Sequence, residues 1–144
     1  MDDCRVRATS QRLTFSTVET AGAIAVFFLA VVALFQLALA FGAPFGRAAW
    51  GGRNEGTLPG GLRIASAMAG LFLYPAVIAV VLSASGLTDT DLVPGRGDVL
   101  MWVLTVLFGV GGVANGASRS PLERWWAPVS LTVAACCAYL GGSL

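Results

Sequence analysis

The chain has 144 residues, of which 56% are hydrophobic and 12% charged, with a formal net charge of +1 and a mean hydropathy of +0.77. A soluble domain carries about 25% charged residues, so this surface suits lipid better than water. All nine basic residues are arginine and histidine is absent, which excludes Schiff-base lysines, histidine general bases and histidine metal ligands together; the charge is also far too small for a nucleic-acid surface.

Four apolar runs follow in order. The first, Thr20 to Phe41, comes after Ser16-Thr17-Val18-Glu19, a capping box that predicts a helix beginning near Thr17. Gly42, which accepts a left-handed C-cap, and Pro44, which cannot continue a helix, supply the stop. Ala38-Leu39-Ala40 resembles a small-residue cleavage site, but the apolar stretch exceeds the roughly 7–15 residues of a signal-peptide core, so a retained helix is expected. A Gly-rich loop, GAPFGRAAWGGRNEGTLPGG, occupies 42–61 and opposes regular structure.

The second run extends from Leu62 to Ser85, with Pro75 near its middle to kink it or leave the carbonyl four residues earlier unpaired, and Gly86 to end it. The loop LTDTDLVPGRGD leads to Asp98, read as the N-cap of the third run, Val99 to about Ala117. There the spacing Gly112-xxx-Gly116 permits close helix contact. Ser120-Pro121-Leu122-Glu123 is a second capping box with proline at N1, which starts the fourth helix at Pro121. Pro128 is expected to bend its first segment, and Ala134, Ala138 and Gly142 form a small-residue stripe suited to packing.

The expected fold is therefore all-α, an integral membrane bundle of four transmembrane helices at about 17–41, 62–85, 98–117 and 121–141 in one domain covering 1–144, a multi-pass protein of the cell membrane. The fourth run is the weakest candidate to span. Charge does not orient it: Arg5, Arg7, Arg12 and Arg96 fall on one side, and Arg47, Arg53, Arg63, Arg119 and Arg124 on the other.

Polar chemistry concentrates in loops one and three, which an even number of spans puts on one face. Arg47, Trp50, Arg53, Arg119, Glu123, Arg124 and Trp126 are the candidate ligand-binding residues there, because guanidinium groups among indoles bind phosphate or carboxylate while the rings hold apolar parts. The same residues also serve as ordinary interfacial anchors. Gln36 and Asn115, the strongly polar side chains within the runs, are expected to form one layer beneath that face. Glu19 and Asp98 read as caps rather than proton carriers. No catalytic set, metal cluster or phosphate-cradling loop is present in the sequence, so no catalytic residue, metal or cofactor is expected. Cys136 and Cys137 read as small hydrophobes, and Cys4, ahead of the first run, does not fit a lipoprotein cysteine.

Gln36, Leu39, Ala40, Gly42, Ala43, Pro44, Gly46, Trp50, Gly51 and Gly52 fit the pattern Q-x-x-L-A-x-G-A-P-x-G-x-x-x-W-G-G. With Asn115, Ser118, Ser120, Glu123, Arg124 and Pro128 of the later segment NGASRSPLERWWAPV, the chain resembles small uncharacterised four-span membrane proteins of high-GC actinobacteria. The resemblance implies a fold and no activity. Two functional readings follow. One is a non-enzymatic accessory or structural membrane component whose Gly/Ala helix faces bind its own copies or another membrane protein, with the lipid bilayer as its other partner. The alternative is a protein that handles a small solute, anion or lipid at the Arg/Trp face. The first is favoured, since the arginines, tryptophans and amides all have structural explanations.

Overall fold

In the computed structural model, which describes residues 2–92 and 95–144 with side chains from residue 17 onward, helix α1 runs unbroken over Asp2–Ala40. The expected start near Thr17 is therefore corrected: residues 2–16 contain no glycine or proline to stop a helix, so the capping-box residues 16–19 lie in its interior. The Cys4 side chain lies outside the described residues.

The stop is as expected. Gly42 (φ +94°) follows the last turn, its N–H donating to Leu39 O (3.0 Å), while the N–H of Ala43 donates to Ala38 O (2.9 Å). This pair of bonds is a Schellman motif, and Gly86 (φ +71°) ends the second run in the same way.

That run is α2 (Gly60–Met68), a π-helical turn (Ala69–Leu73) and α3 (Tyr74–Ala84) in succession. Pro75 neither breaks nor ends it. The ladder widens just ahead of the ring, with the Tyr74 N–H reaching Ala69 O five residues back, which accommodates the missing proline donor.

Helix α4 (Gly97–Gly116) begins one residue earlier than expected, with Arg96 at the N-cap. Asp98 is thus not the cap; it lies in the first turn, where its charge still opposes the helix dipole. The fourth run divides into α5 (Pro121–Arg124) and α6 (Trp126–Ser143). Pro128 has no N–H for the carbonyl of Arg124, and the chain breaks at Trp125 within that span.

Among the described residues, three segments are long and apolar enough to cross a membrane: Thr17–Ala40, Gly60–Ala84 and Gly97–Gly116. Helix α6, with 18 residues, rises about 27 Å at 1.5 Å per residue. No strand occurs among the described residues.

The most extensive interface is α4 against α6; α1 packs on α6 and on α2–α3, and α3 touches α4 only lightly. A core of Leu29, Val81, Met101, Val133, Cys137 and Leu140 joins these helices. On α4, Gly112 is the close-contact glycine, since a Cβ there would stand 2.7 Å from the Leu131 side chain. Gly116 instead leaves ordinary contact space, 3.6 Å from Ala127. On α6 the buried face is Val133, Ala134, Cys137, Leu140 and Gly141; Gly142, expected to pack, has nothing within 4 Å.

Loop one is more ordered than its glycines suggest. Leu39, Ala49 and Leu58 form a small core of their own with Phe35 and Leu62, capping the end of the bundle. A short 3₁₀ turn at Gly46–Ala48 and a left-handed turn at Trp50–Gly52 fold the chain over it. Gly46 is required, because a Cβ there would meet two backbone oxygens, Asn54 O at 2.7 Å and Gly56 O at 2.8 Å.

Candidate functional site

Loop one and loop three are latched together by side chains from the start of the fourth run. Glu123 is buried, 7% exposed, and its carboxylate accepts the N–H of Gly51 (2.8 Å) and the hydroxyl of Ser118. Ser120 Oγ donates to Arg47 O, and the Trp126 indole N–H donates to Ala48 O (3.0 Å). The second capping box thus marks the right helix start for a different reason. No side-chain cap bond forms at Ser120, and both of its key side chains reach across to loop one instead.

Trp50 adopts a left-handed backbone (φ +54°), uncommon for a bulky residue, in a run with Gly51 (φ +80°) and Gly52 (φ +66°). Its indole N–H donates to Ser66 Oγ on α2 (3.0 Å), so loop one is tied to the second run as well. This left-handed run presents the Gly51 N–H to Glu123, and such strain concentrates at functional positions.

Three adjoining depressions result. The outer one, about 670 Å³, is rimmed by Arg47, Arg53 and Arg119, with Asn115 and Glu123 at its floor. The only acidic group among its lining residues is Glu123, whose two oxygens are already engaged. Arg47 also stands 3.7 Å from Glu55, an exposed pair that holds neither side chain firmly.

Beneath it lies a chamber of about 230 Å³ lined by Gln36, Trp50, Tyr74, Asn115, Trp126 and Ser130, among others, and again by Glu123. Gln36 and Asn115 therefore share one cavity below the arginines, as expected, but they do not bond each other. The Asn115 amide N–H donates to Ser130 Oγ (3.4 Å). Gln36 Oε1 is sealed from solvent with no hydrogen-bond partner among the described residues, an arrangement costing about 1–3 kcal/mol unless something else donates to it.

The third depression, about 350 Å³ and almost wholly apolar, is lined by Phe45, Leu122, Trp125 and Val129 among others. Phe35, Ala48 and Trp126 line both it and the chamber, and the Phe35 and Trp126 rings pack at 4.5 Å between centroids.

Of the candidates, Gln36, Arg47, Trp50, Arg53, Asn115, Arg119, Glu123 and Trp126 come together here. Arg124 does not line these depressions: its guanidinium donates to Ser118 O (2.8 Å) and braces loop three. Ser66, Ser118, Ser120 and Ser130 complete the construction. Hydroxyls in or beside apolar runs look like neutral filler in a sequence, and only Ser118 and Ser120 stood beside charged neighbours that marked them. Compared with family models, curated proteins and solved structures, the chain matches none of them.

Proposed function

We propose that this is a four-span protein of the cell membrane that binds an anionic amphiphile by its headgroup at the face formed by loops one and three. One observation carries the reading: the latch gathers Arg47, Arg53 and Arg119 around a single depression, with the only carboxylate among its lining residues already satisfied. Interfacial anchors have no need of such convergence, because each arginine would reach its own lipid phosphates independently. Bidentate guanidinium bonding suits phosphate or carboxylate, and the tryptophans and the apolar groove suit an attached hydrocarbon.

The accessory reading keeps one observation of its own. Gly109 and Gly111 on α4 have nothing within 4 Å, which leaves backbone open to another helix.

The test is thermal unfolding of the purified chain in dodecyl maltoside with added dodecyl phosphate. Binding only to the folded state raises its stability by about 2.7 kcal/mol at a hundredfold excess over Kd. Stabilisation should fall with salt and vanish when Arg47, Arg53 and Arg119 are all replaced by glutamine. Equal stabilisation of the triple variant makes the arginines mere anchors, and an unresponsive, discrete protein oligomer favours the accessory reading.

A further inference from the structure

We infer that the chamber beneath the arginines is a binding site for a small organic cation, an alkylated ammonium held by aromatic rings and by the charge of Glu123. The inference goes beyond the headgroup reading and does not depend on it, because no arginine lines the chamber.

Four aromatic side chains line this space, and each comes from a different part of the fold: Phe35 from α1, Trp50 from loop one, Tyr74 from α3 and Trp126 from α6. Phe35 and Trp126 form one wall, their ring centroids 4.5 Å apart. The indole N–H groups, which are electropositive ring edges, are spent on Ser66 Oγ and Ala48 O. Ring faces are electronegative, and they attract a cation lying within about 6 Å of a ring centroid. A volume of about 230 Å³ is small beside the roughly 300–1,000 Å³ of pockets for drug-sized ligands, so the chamber suits a compact ion.

Charge is the second and independent observation. Glu123 is the one charged residue lining the chamber, and it is 7% exposed. Its oxygens accept from the Gly51 N–H and the Ser118 hydroxyl, neutral donors that satisfy its hydrogen bonding without cancelling its charge. Among the described residues no cation pairs with it: Arg47 pairs with Glu55, Arg124 bonds Ser118 O, and Arg53 and Arg119 are exposed. A buried charge is costly until it is paired, so an arriving cation meets an unmatched anion among rings. Gln36, Tyr74, Asn115 and Ser130 are neutral and leave that balance unchanged. An alkylated ammonium fits because it draws on charge and ring surface, whereas an inorganic cation would exchange its water for rings that coordinate it poorly.

The experiment follows tryptophan fluorescence, since Trp50 and Trp126 line the chamber. The full chain in dodecyl maltoside is titrated, at constant ionic strength, with choline and with its neutral isostere 3,3-dimethylbutan-1-ol. Choline should bind about tenfold tighter. Tyr74→Leu, which lies outside the latch, should lower choline affinity about fivefold, whereas Tyr74→Phe keeps the ring and should keep the affinity. Glu123→Gln, which retains an acceptor for the Gly51 N–H, should erase the preference for choline over the isostere. Equal binding of choline and its isostere overturns the inference, and so does a loss in Tyr74→Phe that matches the loss in Tyr74→Leu. Dodecyl phosphocholine binding far more tightly than choline marks the cation as part of a lipid headgroup; equal binding marks it as a free solute. Stabilisation by dodecyl phosphate reports on the arginines and stands or falls separately.

Discussion

Replacing Glu123 by alanine should unlatch loop one, lowering stability by about 3 kcal/mol and abolishing binding of an anionic amphiphile. Two bonds to a buried carboxylate are lost together, from Gly51 N–H and Ser118 Oγ, and charge-assisted bonds contribute about 1.5–3 kcal/mol each. Hydrogen exchange at residues 46–53 should accelerate while the α4–α6 interface stays protected. Arg124→Ala is the matched control: its guanidinium donates to Ser118 O from an exposed position, so removing it should cost about 1 kcal/mol or less. Equal effects of the two substitutions would mean that Glu123 is not the latch.

The second large effect is expected at Gly52. A Cβ there would overlap Ser120 Cβ, which is fixed to its backbone and cannot swing away, and the residue sits at φ +66°. Left-handed backbone alone costs a non-glycine residue about 1–2 kcal/mol. Relieving the overlap also pulls loop one off loop three and breaks the bond from Ser120 Oγ to Arg47 O. Gly52→Ala should therefore destabilise by about 3 kcal/mol, within the range for strain combined with overpacking. Gly51→Ala shares the positive φ (+80°) but meets nothing within 4 Å, so only the strain remains. Thermal unfolding of the two alanine variants checks the contrast; equal losses would place the whole cost in backbone conformation.

The helix ends and the polar layer were legible because their causes are local. Gly42 and Gly86 close Schellman motifs where glycine was expected to stop a helix, and Gln36 and Asn115 share a cavity because each lies close to its loop. The failures share a different cause. Residues 16–19 carry a capping signal, but a cap is used only where a helix ends, and nothing in residues 2–16 interrupts α1. Ser120 and Glu123 also look like a local box, yet their partners Arg47 and Gly51 lie 73 and 72 positions away, beyond what spacing in the sequence reveals. The stripe Ala134, Ala138, Gly142 repeats every fourth residue, while the buried face follows the larger Val133, Cys137 and Leu140 beside Ala134 and Gly141. Small size permits contact; it does not choose the side on which a neighbour packs.

We propose that loops one and three form one headgroup site on one side of a four-span bundle. The most direct test is crosslinking in sealed membrane vesicles, with Cys4, Cys136 and Cys137 replaced by alanine and new cysteines at Arg53 and Arg119, both exposed and both on the rim of the outer depression. A flexible, membrane-impermeant bis-maleimide applied from outside should join this pair in vesicles of one orientation, and should never join cysteines at Arg53 and Thr90. Crosslinking of Arg53 with Thr90, without crosslinking of Arg53 with Arg119, would contradict the topology and remove the site with it.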